Sequence, residues 1–216
     1  MIKYVPSIHL DSGFEIGYNS PLACFSDELN LTSGTHFLLA RNGRGKTTLL
    51  RTLAGTIKPV SGKFRVEGFL QYLPEDLRFD AHVTPATIFR MLIPKVSLAA
   101  ALDLAARIEL DVKKPYGRLS TGNRRKTSLI MGEFSVKPNV GNILLLDEPF
   151  SGLDAFARQA FEEIWKQSSS NVLRLVSCHP DYDTMYMPSA VIIEGKAGRH
   201  LASGDQTWSQ LKNLLS

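Results

Sequence analysis

Ala40-Arg41-Asn42-Gly43-Arg44-Gly45-Lys46-Thr47-Thr48 is the stretch on which the reading of this chain turns. The apolar His36-Phe37-Leu38-Leu39 runs into it, and Leu49-Leu50-Arg51-Thr52-Leu53-Ala54 leaves it with helical spacing, so the order is strand, glycine-rich loop, helix. Gly43 and Gly45 let backbone N–H groups turn inward, and the following helix offers its N-terminus and partial positive charge, which together make a phosphate cradle. Lys46 adds a mobile cation for the β and γ phosphates, and the Thr47 hydroxyl is placed to ligate a Mg2+ ion bridging them. The predicted nucleotide-binding set here is Asn42, Gly43, Arg44, Gly45, Lys46, Thr47 and Thr48. Ala40 occupies the first position of the pattern G-x-x-x-x-G-K-[ST] in place of glycine, which requires a negative φ there.

Bulk properties set bounds on the rest. With 216 residues, 44% of them hydrophobic, the chain is long enough to bury a sizeable core as one domain. The net charge is +4, but Lys and Arg are spread along the chain, so a mildly basic surface is expected and no nucleic-acid partner; attraction to anionic lipid headgroups stays open. Cys24 and Cys178 have no metal-ligand spacing, and a chain of this size needs no covalent staple, so a reduced intracellular compartment is the expectation. Met1 to Leu10 lacks the apolar stretch of a signal peptide and no segment approaches 18 consecutive apolar residues. A role at a membrane would therefore call for a separate spanning partner.

Before the loop, Ser7 to Leu10, Phe14 to Tyr18 and Cys24-Phe25 to Leu31 read as short strands joined by turns, antiparallel to one another. Tyr18, in a polar turn, serves either as a packing residue or as an aromatic that stacks on a nucleobase. After the loop, Phe64 to Leu73 reads as one extended run with Gln71 near its exit. From Pro74 to about residue 135 the pattern is helical, with segments opening at Thr84-Pro85, spanning Leu98 to Leu110, and spanning Asn123 to Phe134; this block reads as an insertion into an α/β core. Phe89, Met91, Leu92 and Ile93 form an apolar cluster there, fit for core packing or for a partner's helix.

Ile143-Leu144-Leu145-Leu146-Asp147-Glu148-Pro149 has the look of a strand buried on both faces and ending in two acids. Acids at the carboxyl end of such a strand point into the ligand crevice, where Asp147 can hold Mg2+ and Glu148 can orient the attacking water. Asp154 is expected to cap the helix Ala155 to Gln167, Val172 to Ser177 and Val191 to Gly195 are further strands, and Thr207 to Leu215 is a closing helix. His179 lies at a strand tip, where it is either structural or a donor to a γ-phosphate.

Leu119-Ser120-Thr121-Gly122-Asn123, about twenty residues before the Leu-Leu-Leu-Asp-Glu-Pro strand, completes an order of motifs that resembles the ATPase subunit of an ATP-binding cassette (ABC) transporter from about Tyr4 to Asp205. This stretch is similar to the family signature Leu-Ser-Gly-Gly-Gln, with Thr121 and Asn123 departing from it, while Ser120 keeps the hydroxyl and Gly122 the close backbone approach. The resemblance implies an α/β fold: a P-loop NTPase (RecA-like) core with an N-terminal antiparallel β-subdomain and an inserted α-helical subdomain, approximately 74–135, within a single ABC ATPase domain over 1–216. It implies Tyr18 as the adenine-stacking aromatic, Gln71 as the residue linking Mg2+ and catalytic water to the helical subdomain, and His179 as the switch histidine. Catalysis would fall to Glu148, His179, Gln71 and Lys46, with Thr47, Gln71 and Asp147 at the metal, and Ser120 and Gly122 would meet ATP across a dimer. The implied partners are a second ATPase subunit, as a homodimer, and a transmembrane transporter subunit, with this chain cytoplasmic and peripheral at the cytoplasmic face of the inner (plasma) membrane. A soluble ABC-type ATPase regulating a non-transport assembly and a P-loop small-molecule kinase are the competing readings. The kinase leaves the signature and Ser151-Gly152-Leu153-Asp154 without a purpose.

Overall fold

A computed structural model describes residues 5–167, 171–178, 185–202 and 206–215. Its centre is an eight-stranded sheet in the order β2-β3-β11-β10-β5-β9-β8-β7. The strands are β1 (Ser7–Leu10), β2 (Phe14–Gly17), β3 (Pro21–Phe25), β4 (Leu29–Leu31), β5 (Gly34–Ala40), β6 (Phe64–Glu67), β7 (Phe69–Leu73), β8 (Asn142–Asp147), β9 (Val172–Ser177), β10 (Ser189–Glu194) and β11 (Ala197–Ala202). From β10 through β7 neighbouring strands run parallel, whereas β10 and β11 form an antiparallel hairpin. The helices are α1 (Lys46–Leu53), α2 (Pro85–Leu92), α3 (Lys95–Arg107), α4 (Thr121–Phe134), α5 (Ala155–Lys166) and α6 (Trp208–Leu211).

The apolar run of β8 is explained by burial on both faces. Ile143 and Leu145 pack with Leu38, Leu173, Leu175 and the α1 side chains Leu49, Leu50 and Leu53. Leu144 and Leu146 point the other way and pack with Phe37, Leu39, Leu129 and Ile130 of α4, and Phe161 of α5. A strand sandwiched in this way cannot show period-two alternation, because each face meets its own apolar layer.

Several elements differ from their sequence-based bounds. The N-terminal strands do not form one subdomain sheet: β1 joins β4 and β6 in a separate antiparallel sheet, while β2 and β3 extend the large sheet through β11. The run Phe64 to Leu73 breaks at Gly68 into β6 and β7, one in each sheet. Gly68 has φ 147°, and a Cβ there would lie 2.9 Å from the Gly141 carbonyl oxygen, so glycine permits the crossing. The second helix begins at Lys95, ahead of its expected start, and ends at Arg107. The third begins at Thr121, because Ser120 caps it by accepting from the Asn123 N–H at 3.2 Å. The closing helix is only four residues of α-helix followed by a 3-10 turn, Lys212–Leu214. Strand β11 was missed because Gly198, Arg199 and His200 interrupt any apolar pattern. Phe89 and Ile93 are core residues, whereas Met91 and Leu92 are exposed.

Candidate nucleotide site

The chain from β5 to α1 folds as the glycine pattern requires. Gly43 and Gly45 have φ of 74° and 104°, conformations open to glycine, while Ala40 ends β5 outside the left-handed region and so is tolerated at the first position of the motif. No side chain caps the N-terminus of α1. Its first N–H groups are thus left for an anion.

Lys46 is only 7% exposed and is held in place by donating to the Ala40 carbonyl at 3.2 Å, with Glu148 Oε1 at 3.4 Å. At the end of β8, Asp147 Oδ1 accepts from Thr47 Oγ1 at 3.2 Å and from Ser177 Oγ at 2.8 Å. The same Ser177 oxygen accepts from the Glu148 N–H at 2.9 Å. Glu148 itself has φ 45°, a left-handed conformation unusual for glutamate, which turns its carboxylate out of the strand toward Lys46. The strand ends of β5, β8 and β9 therefore assemble a cation, two carboxylates and two hydroxyls in one place.

These residues open on a cleft of about 690 Å³ lined by Tyr18, Asn42, Gly43, Gly45, Lys46, Thr47, Thr48, Glu75 and Glu148, among others. Tyr18 is 62% exposed at its rim. Arg51 of α1 lies against the hydroxyls of Tyr72 and Tyr18, which raise its already high pKa. Ser120 and Gly122 are not part of the cleft lining. Gly122 instead packs on the loop after β8: a Cβ there would lie 2.7 Å from the Gly152 carbonyl oxygen. In that loop Asp154 caps α5 by accepting from the Ala157 N–H at 2.8 Å, and it pairs with Lys126 Nζ of α4 at 2.8 Å. The Lys126 hydrogen bond, then the Ala157 N–H, hold the Asp154 carboxyl below its usual range.

Gln71 is the residue that sequence reading placed wrongly. It lies within β7 opposite Leu144, on the face covered by α4, where its Oε1 accepts from Ser135 Oγ at 2.7 Å. Strand alternation puts the next residue on the opposite face, and Tyr72 is the one that reaches the acids, donating to Asp147 Oδ2 at 3.3 Å. Glu75, beyond the end of the strand, lines the cleft. Sequence inspection missed Tyr72, Glu75 and Ser177; the Pro74 that ends β7 was the available signal for Glu75, and the register of Ser177 with Asp147 is visible only in the sheet. Of the other predicted residues, Arg44 is exposed on the loop outside the cleft lining, and His179 falls outside the described residues.

Burial, then the charge of Asp147, push the Tyr72 phenol up to about 12. A raised phenol favours the protonated form in the folded state, so stability is expected to fall as pH rises from the ordinary tyrosine value of about 10 toward 12. Ultraviolet titration should show one tyrosine ionising late, and that step should move down but stay above the ordinary range in Asp147→Asn, where burial still acts.

The donor set suits Mg2+ and a triphosphate. Hard oxygen ligands are offered by Thr47 and Asp147, and Mg2+ in such sites takes one or two carboxylates and completes its shell with phosphate and water. Among the described residues, no three His, Cys, Asp or Glu side chains converge.

Comparison with known proteins agrees with this geometry. The family model described as ABC transporter matches residues 28–151, more than half of the chain. The ABC transporter ATP-binding protein YtrB of Bacillus subtilis is 34% identical over 145 residues, 60% of this chain, which spans about half of that relative's length, 48%. The cytochrome c biogenesis ATP-binding export protein CcmA of Zymomonas mobilis is 31% identical over 166 residues, covering 72% of this chain and 73% of the relative. Among solved structures, a bacterial Atm1-family ABC exporter with ATP bound superposes with a TM-score of 0.76 at 16% identity over 99% of this chain and 41% of its own, a likeness of fold. The architecture is that of a P-loop NTPase, and the chain belongs to the family of ABC transporter ATP-binding subunits.

Proposed function

We propose that this chain binds and hydrolyses ATP as the motor of a transporter whose membrane-spanning part is a separate subunit. The observation that carries the reading is the cleft lined by Lys46, Thr47 and Glu148, with Asp147 hydrogen-bonded to Thr47 behind it, while Ser120 is not among the lining residues. A site with every phosphate-gripping group except the signature is half a site. A second copy, turned head to tail, supplies the missing Ser120 and Gly122.

In this mechanism the loop N–H groups and Lys46 grip the β and γ phosphates, and Tyr18 stacks on the adenine. Thr47 and Asp147 would hold Mg2+, which when bound would supply positive charge against the phosphate oxygens. Glu148 orients a water for in-line attack on the γ-phosphate and takes up its proton. Ser177 fixes Asp147 and the Glu148 backbone, so neither acid must reorganise when charge develops. Lys46 leaves Glu148 for phosphate oxygen as ATP enters, which frees the carboxylate for water. His179 is proposed as the γ-phosphate switch. ATP favours the closed pair and hydrolysis reopens it, because only the closed form contacts the nucleotide from both sides.

None of the described helices is long and apolar enough to cross a membrane. Attachment to the cytoplasmic face of the membrane would come through the spanning partner. The test is gel filtration of Glu148→Gln with Mg2+ and ATP. A nucleotide-dependent dimer is expected; monomers at saturating ATP would overturn the two-copy site.

A further inference from the structure

Glu133, Trp165 and Arg174 form a buried polar group that the nucleotide site does not use. Arg174 interrupts the apolar run Val172-Leu173-Arg174-Leu175-Val176 and is 4% exposed; Glu133, on α4, is 6% exposed. Arg174 Nε donates to Glu133 Oε1 at 3.0 Å and Oε2 at 3.1 Å, and its Nη2 donates to Oε2 at 2.7 Å. Trp165 Nε1 of α5 donates to Glu133 Oε1 at 2.8 Å.

A buried ion pair is a poor net stabiliser, because desolvating both charges offsets most of their attraction, and apolar side chains of similar volume do as well or better. Its directional consequence is different. The Glu133 carboxylate accepts from two elements at once, β9 and α5, which leaves α4 one setting along and about its axis. Next to it, the Ser135 hydroxyl at the end of α4 donates to Gln71 of β7. Both ties lie at the C-terminal end of a fourteen-residue helix whose other end is capped by Ser120. At about 1.5 Å per residue, a small rotation at the clamp becomes a large displacement about 20 Å away. Lys126 anchors the middle of α4 to the Asp154 cap of α5 and to the Ile108 carbonyl, neither of them on the sheet, so the polar ties of the helix to the sheet are those of Glu133 and Ser135.

We infer that Glu133, clamped by Arg174 and Trp165, is a positioning residue that sets where Ser120 stands relative to the sheet and so governs how well two copies close on ATP. The second half of this inference rests on the reading that Ser120 meets nucleotide held by another copy. In a Glu148→Gln background, the double variant Glu133→Met, Arg174→Met keeps the volume and removes the clamp. ATP binding to the monomer should stay within about twofold, and the melting midpoint should change only modestly, the loss of the buried ion pair being offset by the cost of leaving the Trp165 Nε1–H without its acceptor. Amide hydrogen exchange across residues 121–134 should accelerate at least about tenfold, and ATP-dependent dimerisation should weaken by a similar factor. Parental exchange and parental dimerisation in the folded double variant would overturn the inference. Trp165→Phe, which removes one donor and keeps the ion pair, should shift both readouts in the same direction by about threefold, and no shift there would count equally against it. If the Glu148→Gln parent binds ATP yet stays monomeric, the two-copy reading has failed, and exchange in α4 alone then decides whether the clamp holds the helix.

Discussion

Lys46→Ala is expected to weaken ATP binding by about 100-fold or more, roughly 2.7 kcal/mol, as measured by equilibrium dialysis with labelled nucleotide. The ammonium is already desolvated, 7% exposed, and its position is set by the Ala40 carbonyl before any ligand arrives. The cost of burying and orienting it therefore falls on folding and not on binding. Removing it leaves Glu148 facing the triphosphate without an intervening cation, and like charges at that spacing repel strongly in a partly dry cleft. Binding within threefold of the parent would show that the loop N–H groups alone hold the phosphates.

Glu148→Gln should separate binding from chemistry. Steady-state ATP hydrolysis is expected to fall by about a thousandfold, about 4 kcal/mol in activation free energy, with ATP affinity unchanged within threefold. Glutamine keeps the shape and the hydrogen-bonding capacity toward water, and the backbone N–H of residue 148 still donates to Ser177, so the left-handed turn is retained. What is lost is the negative charge that draws a proton from the nucleophile. A residual rate within tenfold of the parent would transfer the role to another group of the cleft, of which Glu75 is the nearest in kind.

The two substitutions also show what kind of residue was readable in advance. Lys46, Thr47, Asp147 and Glu148 stand at the ends of local patterns: a glycine loop entering a helix, and an apolar strand ending in acids. Their chemistry follows from a few consecutive residues, and the structure pairs Lys46 with Glu148 and Thr47 with Asp147 across the two elements. Gln71 failed for a definite reason. Within an apolar run the sequence does not reveal the phase of a strand that is half-covered on both faces, and Gln71, Leu73 and Tyr72 alternate across the sheet. The glutamine pointed under α4, Tyr72 reached Asp147, and Glu75 lined the cleft.

By itself, then, the order of residues determined the phosphate loop, the acidic strand and the helix cap at Asp154, because each depends on contacts within a few positions of the chain. Tertiary structure alone decided which residues of β7 face the acids, that Ser177 steadies both of them, and that Arg174 and Glu133 meet. Those outcomes turn on strand register and on the seating of α4, which juxtapose groups as far apart in sequence as Glu133 and Arg174, 41 residues. No local preference for helix or strand carries that information; only the packing of distant apolar faces does.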